Sequence, residues 1–153
     1  MNRSIWNSTS EIVKKPWGHE NQWTTLSALD GKVLYINAGC RTSLKMFEHK
    51  DEVLFVQAGM IQATVADEEL FSKNTAQFRK IVLHEGDVLN IQAGCPYRLE
   101  ALNKDAIVVE ISNGGAYTQA LRFMDDYDRD INSHYTPLIK KKLEELNDIP
   151  NNG

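Results

Sequence analysis

Short runs rich in Val, Ile, Leu and aromatic residues recur along the middle of this chain, separated by glycine, aspartate, asparagine or proline. This regular spacing is typical of an all-β sandwich or barrel, and not of alternating strands and helices. Glycines stand at four predicted corners, where a positive φ or a sharp bend is usual: Gly39, Gly59, Gly86 and Gly94. The predicted strands are Lys32–Ala38, Arg41–Phe47, Glu52–Ala58, Met60–Ala66, Arg79–Leu83, Asp87–Ile91, Tyr97–Ala101 and Ala106–Ser112.

The end of the chain has a different character. A length of 153 residues predicts one domain with a real core. We expect the β domain to cover residues 1–130, and residues 131–153 to form a helix and a frayed tail. Thr136 before Pro137 predicts the start of that helix. Its apolar face should pack on the outside of the β domain or on a second subunit, through Ile139, Leu143 and Leu146.

Composition narrows the classes of partner. The net charge of −4 argues against nucleic acid or an anionic membrane as the main partner. No apolar run approaches the length of a membrane-spanning helix, and the first residues lack the apolar core of a secretory signal. The two cysteines, Cys40 and Cys95, make no disulfide framework, so we expect reduced thiols in a cytoplasmic protein.

Two glycine-framed segments resemble the paired motifs of the cupin superfamily. The first segment keeps its frame with Gly39, Glu52 and Gly59 at the family spacing. The second keeps Gly86, Gly94 and the position of Tyr97, with Gln92 in place of the usual proline. The resemblance implies an all-β, single-domain cupin jelly-roll β-barrel, followed here by the C-terminal helix.

Flanking segments narrow the resemblance to the type II mannose-6-phosphate isomerase-like branch of cupins. The likeness runs from about Val13 to Arg129. Three segments carry it: Lys15-Pro16-Trp17-Gly18-His19-Glu20 is similar to the branch's KPWGxE element, Ser43-Leu44-Lys45-Met46-Phe47-Glu48-His49-Lys50-Asp51-Glu52 to its SLQxHHHRxE element, and Asp125-Asp126-Tyr127-Asp128-Arg129 to its terminal DDYGR-like element.

The metal-binding residues of the family are mostly replaced. The resemblance puts the family's ligands at Lys45, Phe47, Glu52 and Tyr97, and of these Glu52 alone is an ordinary ligand. A protonated amine has no lone pair and a phenyl ring has no donor atom. We therefore predict no cofactor. The alternative is a divalent metal held by Glu52 with His49, which otherwise is an exposed turn histidine.

Lys45 and Glu52 are the centre of the predicted site. Strand period places Arg41, Ser43, Lys45 and Phe47 on one face. A lysine that points inward needs a counter-ion, and Glu52 on the next strand is the natural one. A Lys45–Glu52 pair would keep Glu52 ionised. The pair either holds the barrel together or, with Tyr97 as acid, moves protons next to a carbonyl.

Several further residues are candidates for ligand binding. Arg41, Lys45 and Arg98 are cations that suit a phosphate or carboxylate. Glu110 either bonds sugar hydroxyls inside the barrel or faces solvent. Trp17 and Phe47 either give a hexose ring an apolar face or belong to the core.

Three functions remain open at this point. The first is a metal-independent isomerase or epimerase of a sugar phosphate or nucleotide-linked sugar. The second is a non-catalytic cupin that binds a sugar or small acid, and the third is a metallocupin with unusual ligands. The resemblance also implies a homodimer, for which the loop with Leu70 and Phe71 and the C-terminal helix are candidate contacts.

Overall fold

A computed structural model describes residues 2–23, 26, 28–67, 77–113, 119–131 and 136–147 of the chain. The described residues contain β-strands and one helix, α1 (Thr136–Asn147). The strands are β1 (Glu11–Lys15), β2 (Gly18–Gln22), β3 (Asp30–Ile36), β4 (Leu44–Met46), β5 (Glu52–Ala58), β6 (Ile61–Val65), β7 (Arg79–Leu83), β8 (Val88–Ile91), β9 (Tyr97–Ala101), β10 (Ala106–Ser112) and β11 (Leu121–Met124).

The strands form two antiparallel sheets. The six-stranded sheet has the order β1-β2-β3-β10-β5-β8, and the five-stranded sheet has the order β11-β4-β9-β6-β7. Neighbours in space are often distant in sequence, as for β3 and β10. This arrangement agrees with the predicted all-β jelly roll, and each predicted corner glycine has a positive φ.

The main core draws on both sheets. Alternate residues of each strand point inward. Burial therefore alternates along β5 and β6. The buried apolar side chains of the two sheets form one cluster, which includes Leu34, Leu54, Ile61, Leu99 and Val108.

Helix α1 packs on a second, smaller core. Ile139 is fully buried there against Phe123, Leu44 and Met46. The helix begins at Thr136, whose hydroxyl donates a 3.3 Å hydrogen bond to the carbonyl oxygen of Phe123. The predicted helix and its apolar face are therefore confirmed, with the β domain as the surface that it covers.

Some sequence-based expectations lie outside the described residues. These are the loop with Leu70 and Phe71 and the tail after residue 147. The described residues contain no helix that is both long and apolar enough to cross a lipid bilayer. The sequence analysis missed β1, β2 and β11, since β1 and β2 are polar and carry no alternating apolar pattern.

Gly18 allows β2 to lie against β3. The hairpin between β1 and β2 closes at Lys15 and Gly18, which pair directly. A Cβ atom on Gly18 would lie 1.8 Å from the carbonyl oxygen of Tyr35, at a φ of +152°. No side chain fits there without a backbone shift.

We therefore expect Gly18→Ala to lower the free energy of unfolding by more than about 3 kcal/mol. Gly39→Ala is the matched control, because Gly39 also has a positive φ, +75°, but nothing lies within 4 Å of the position that a Cβ atom would take there. Gly39→Ala should lower the free energy of unfolding by about 1–2 kcal/mol. Urea unfolding measures both values, and equal losses would contradict the predicted clash.

Candidate functional site

Charged and phenolic side chains lie together on the inner faces of the two sheets. Three are carboxyl groups that are at least nine-tenths buried, and the phenol is 2 % exposed. The charges of these side chains shift one another's pKa values. We call this group the inner ionisable cluster, and its members are Glu20, Lys32, Lys45, Glu52, Tyr97 and Glu110.

Strand register brings these residues together. Directly paired residues of neighbouring strands share a face. Glu110 on β10 pairs with Lys32 on β3, and Ser112 on β10 pairs with Glu52 on β5. In the other sheet, Lys45 on β4 pairs with Tyr97 on β9. The two sheets thus present charges to each other across the interior.

Tyr97 is hydrogen-bonded to Glu52. The phenol oxygen lies 3.1 Å from Oε1 and 3.0 Å from Oε2 of the carboxyl group. Burial raises the pKa of Tyr97 well above 10, and the nearby charges of Glu52 and Glu110 add to the rise. Tyr97 therefore remains a neutral phenol, and its hydroxyl donates a hydrogen bond to the carboxyl group of Glu52.

Glu52 holds its proton unusually tightly. Burial raises its pKa to about 8, together with the charge of Glu110 and a hydrogen bond between the two carboxyl groups. The charges of Lys45 and Lys50 lower the pKa of Glu52, but by less than the other effects raise it. The expectation that Lys45 keeps Glu52 ionised is therefore wrong, because two adjacent carboxyl groups in a dry site favour sharing one proton.

Lys45 lies over the ring of Tyr97. Its Nζ atom is 5.3 Å from the ring centroid, a cation–π distance. No ion pair within 4.0 Å joins Lys45 to Glu52 in the described part of the chain, so the predicted direct pair is wrong. Part of the side chain reaches solvent, but desolvation of the ammonium lowers the pKa of Lys45 despite Glu52 and Glu110.

Glu20 and Lys32 form an ion pair within the inner ionisable cluster. Lys32 Nζ lies 3.6 Å from Glu20 Oε2, and Gln22 Nε2 donates a 2.9 Å hydrogen bond to the same oxygen. Burial opposes ionisation of Glu20, but Lys32 and Gln22 bring its pKa below the ordinary value. Burial likewise opposes the charge on Lys32, and Glu110 and Glu20 raise its pKa overall.

Sequence reasoning assigned no role to either residue, although Glu20 ends the KPWGHE segment. Lys32 stands at the same strand parity as the buried Leu34 and Ile36. That placement was the available signal, because an inward lysine needs a partner.

Phe47 contacts a cation rather than an open ligand site. The Nζ atom of Lys50 lies 4.2 Å from the centroid of the Phe47 ring, and Lys50 is only 6 % exposed. Lys50 was not among the predicted site residues. Its neighbour His49 is exposed on the turn between β4 and β5. The structure therefore does not bring His49 into the inner ionisable cluster.

Arg41 lies on the opposite face from Lys45, which corrects the prediction from strand period, and Arg98 lies on the same outer face as Arg41. Arg41 forms a β-bridge with Glu100, and Lys45 pairs with Tyr97. The chain advances four residues from Arg41 to Lys45, whereas their partners on β9 are only three residues apart. This extra residue is a β-bulge that reverses the facing of the side chains.

On that outer face both guanidinium groups meet Asp126. Arg41 Nη2 donates a 2.9 Å hydrogen bond to Asp126 Oδ1, and Arg98 Nη2 lies 3.5 Å from the same oxygen. Arg98 Nε also donates to the carbonyl oxygen of Thr42 at 2.8 Å. The hydrogen bond from Arg41 lowers the pKa of Asp126. These two arginines therefore stabilise the outer side of the five-stranded sheet.

The two remaining predicted residues have different surroundings. Trp17 is 3 % exposed within the main apolar core, so the core interpretation of this residue holds. Glu110 is 5 % exposed and faces the interior, so the alternative that it faces solvent is wrong.

The donor set does not fit a metal ion. Of the four family ligand positions, Phe47 has no donor atom, Lys45 carries an amine and Tyr97 a phenol, which leaves Glu52 as the one ordinary ligand. No group of three or more His, Cys, Asp or Glu residues suited to a metal occurs among the described residues.

A cavity lies at the other end of β5 from Glu52. It has a volume of about 570 Å³ and is lined by residues of the β5–β6, β7–β8 and β9–β10 turns, among them Met60, His84, Glu85 and Lys104. A strand of seven residues spans about 20 Å, so this cavity is remote from the inner ionisable cluster.

Solved structures share this fold. An oxalate decarboxylase variant from Bacillus subtilis matches with a TM-score of 0.63 and 17% identity, over 76% of this chain and 32% of its own. KdgF from Halomonas sp. matches with a TM-score of 0.58 and 14% identity, over 71% of this chain and 94% of KdgF. The capsular polysaccharide assembling protein CapF from Staphylococcus aureus matches with a TM-score of 0.59 and 14% identity, over 81% and 34%.

These neighbours are cupin-fold proteins, so the chain has the cupin fold. At these identities the likeness concerns the fold alone. The chain spans about a third of the oxalate decarboxylase that it matches. No protein-family model and no curated protein matches the sequence.

The shared proton of Glu52 predicts a pH-dependent stability. Its pKa in the folded state, about 8, lies above the ordinary value of 4.5, so the folded state binds the proton more tightly. This contribution is fully present below about pH 4.5 and is lost as the pH rises to about 8.

Between pH 5 and 8.5 the wild type should therefore lose roughly 10 °C of melting temperature relative to Glu52→Gln, which cannot ionise. Thermal denaturation at fixed ionic strength measures the difference. Parallel pH profiles for the two proteins would contradict the raised pKa.

Proposed function

We propose that the inner ionisable cluster transfers protons without a metal ion, in an isomerase or epimerase that acts on a sugar or sugar phosphate. The observation that carries the proposal is the Glu52 carboxyl group, which is 2 % exposed, has a pKa of about 8 and lies 3.0 Å from the Tyr97 hydroxyl. Strongly perturbed ionisable groups in contact are typical of acid–base sites.

The chemistry follows from the protonation states. With a pKa of about 8, Glu52 is mostly protonated near neutral pH, and the fraction of molecules in which it is ionised supplies the carboxylate that acts as base. This base removes the proton from the carbon next to a substrate carbonyl, and the C–H electrons form an enediolate. The hydroxyl of Tyr97 and the amine of Lys45 stabilise the oxygen anion. An isomer forms when the proton returns to the neighbouring carbon and the proton of the adjacent hydroxyl moves to the former carbonyl oxygen. An epimer forms when the same carbon receives a proton on its opposite face.

The substrate class rests on two supports. The KPWGHE segment and the glycine frames resemble the type II mannose-6-phosphate isomerase-like branch. One structural neighbour is named as a capsular polysaccharide assembling protein. A closed barrel around the cluster is part of this proposal, because water must be excluded while the enediolate exists.

A second candidate, a non-catalytic ligand-binding cupin, is favoured by a separate observation. The side chains of the inner ionisable cluster are buried against one another, and the cavity of about 570 Å³ lies elsewhere, at the turns that carry Met60, Glu85 and Lys104. A ligand at that end would bind without touching Glu52. The metallocupin candidate has no such support, since His49 is exposed.

Exchange of substrate C–H protons with deuterated solvent tests the enzyme proposal. Metal-stripped protein should exchange them in a panel of aldose and ketose phosphates, and Glu52→Gln should slow exchange by about 100-fold or more. Tyr97→Phe should lower kcat more than KM changes. His49→Gln is the control and should retain full activity.

Two results would contradict this function. An unchanged rate in Glu52→Gln would remove the cluster from the mechanism. Absence of exchange across the panel, with a thermal shift on adding a ligand, would favour the second candidate. Ligand at about 100 times its dissociation constant stabilises the folded state by about 2.7 kcal/mol.

A further inference from the structure

Cations line a small cavity on the outer face of the five-stranded sheet, beside helix α1. The cavity has a volume of about 130 Å³, and α1 contributes two leucines to its lining. Its three cationic side chains are Arg41, Lys80 and Arg98. The cavity is separate from the inner ionisable cluster, because Arg98 and Tyr97 are consecutive on β9 and point to opposite sides of the sheet.

Strand register places a hydroxyl group between two of these cations. Thr64 on β6 pairs with Lys80 on β7 and, on its other side, with Arg98 on β9. The Cβ atoms of directly paired residues lie about 5 Å apart, so the two cationic side chains begin about 10 Å apart with the threonine between them. Neither the Thr64 hydroxyl nor the Lys80 ammonium forms a hydrogen bond or ion pair within the described part of the chain.

Arg98 is buried and incompletely paired. Its side chain is 7 % exposed, Nε donates to the carbonyl oxygen of Thr42, and Nη2 lies 3.4 Å from the carbonyl oxygen of Met124 and 3.5 Å from Asp126 Oδ1. The described residues provide no acceptor for Nη1. Burial lowers the pKa of Arg98, and the like charge of Arg41 adds to this effect. The guanidinium therefore keeps a free donor group and an incompletely compensated charge at the cavity.

The nearby carboxylates do not neutralise the three cations. Asp126 already accepts hydrogen bonds from Arg41. Glu100 also lines the cavity, but it lies in the next row of the sheet, beside Arg41 rather than beside Lys80. One positive charge thus remains in excess. The whole chain carries a net charge of −4, so this excess is a local feature that attracts anions.

We propose that this cavity, which we call the outer cationic cavity, binds a phosphate group between Lys80, Thr64 and Arg98. Donors that converge from three strands suit an anion with at least three acceptor oxygens, whereas a carboxylate with two oxygens is satisfied by one guanidinium, as Asp126 is by Arg41. The volume is below the roughly 300 Å³ of cavities that enclose drug-sized ligands, so the cavity takes the phosphate group and little else. That group belongs to a free phosphate ion or to a phosphomonoester whose remaining atoms lie in solvent.

Titration of the full chain with inorganic phosphate at constant ionic strength, followed by ¹H–¹⁵N NMR, tests the proposal. The amide signals of Thr64, Lys80 and Arg98 should shift and saturate with a dissociation constant of about 1 mM or tighter. Lys80→Gln and Thr64→Val should each raise this constant by about 10-fold, because each variant loses one hydrogen-bond donor to a charged group.

Lys14→Gln is the matched control. Lys14 is an exposed lysine on β1 of the other sheet, so its substitution removes the same charge from a remote strand. This variant should bind phosphate as the wild type does. Glu52→Gln should also keep the wild-type affinity, so the phosphate site and the proposed proton transfer can fail independently of each other.

A parallel titration with glycerol 3-phosphate distinguishes the two sources of the phosphate group. A dissociation constant within about 10-fold of that for inorganic phosphate assigns the cavity to a phosphomonoester, and weaker binding assigns it to the free ion.

Three outcomes would overturn the proposal. The first is the absence of saturable shifts up to about 50 mM phosphate. The second is a loss of affinity in Lys80→Gln no greater than that in Lys14→Gln, which would indicate general screening by the anion. The third is a set of shifts that saturates elsewhere and leaves Thr64 unchanged. The spectra also show whether each variant is folded, and the exposed Lys80 keeps the test decisive if Thr64→Val does not fold.

Discussion

The contact between the Glu52 and Glu110 carboxyl groups sets the electrostatics of the interior. Both side chains are almost fully buried. Burial raises the pKa of Glu52 to about 8, together with the charge of Glu110 and the hydrogen bond between the two carboxyl groups. Burying both groups as carboxylates would cost several kcal/mol. The neighbours follow from this state. Tyr97 stays a phenol and donates to Glu52, while Lys45 is desolvated over the Tyr97 ring.

The protonation states of the inner ionisable cluster depend on one another. A metal ion concentrates positive charge at one point, whereas here Lys32, Lys45 and Lys50 distribute it around the two carboxyl groups. Distributed charge compensates incompletely, because each ammonium loses hydration when it is buried. This incomplete compensation leaves Glu52 with a pKa in the range useful for acid–base chemistry.

Much of the fold could be predicted from the sequence. The eight runs from Lys32 to Ser112 correspond to strands, because apolar alternation and corner glycines report directly on sheets. The polar strands β1 and β2 could not be predicted this way, since β2 is fixed by the fit of Gly18 against Tyr35. Of the site, Lys45, Glu52 and Tyr97 were predicted as neighbours. Their protonation was not, because it depends on Glu110 and Lys32, which are far apart in sequence.

The bulge between Arg41 and Lys45 decides which cation enters the interior. Four residues of one strand oppose three of the other, so two side chains of equal parity point to opposite sides. A one-residue deletion there would restore strict alternation, which would turn the Lys45 amine outward or the Arg41 guanidinium inward. The insertion or deletion of one residue can therefore change the charge of such an interior as much as a substitution can.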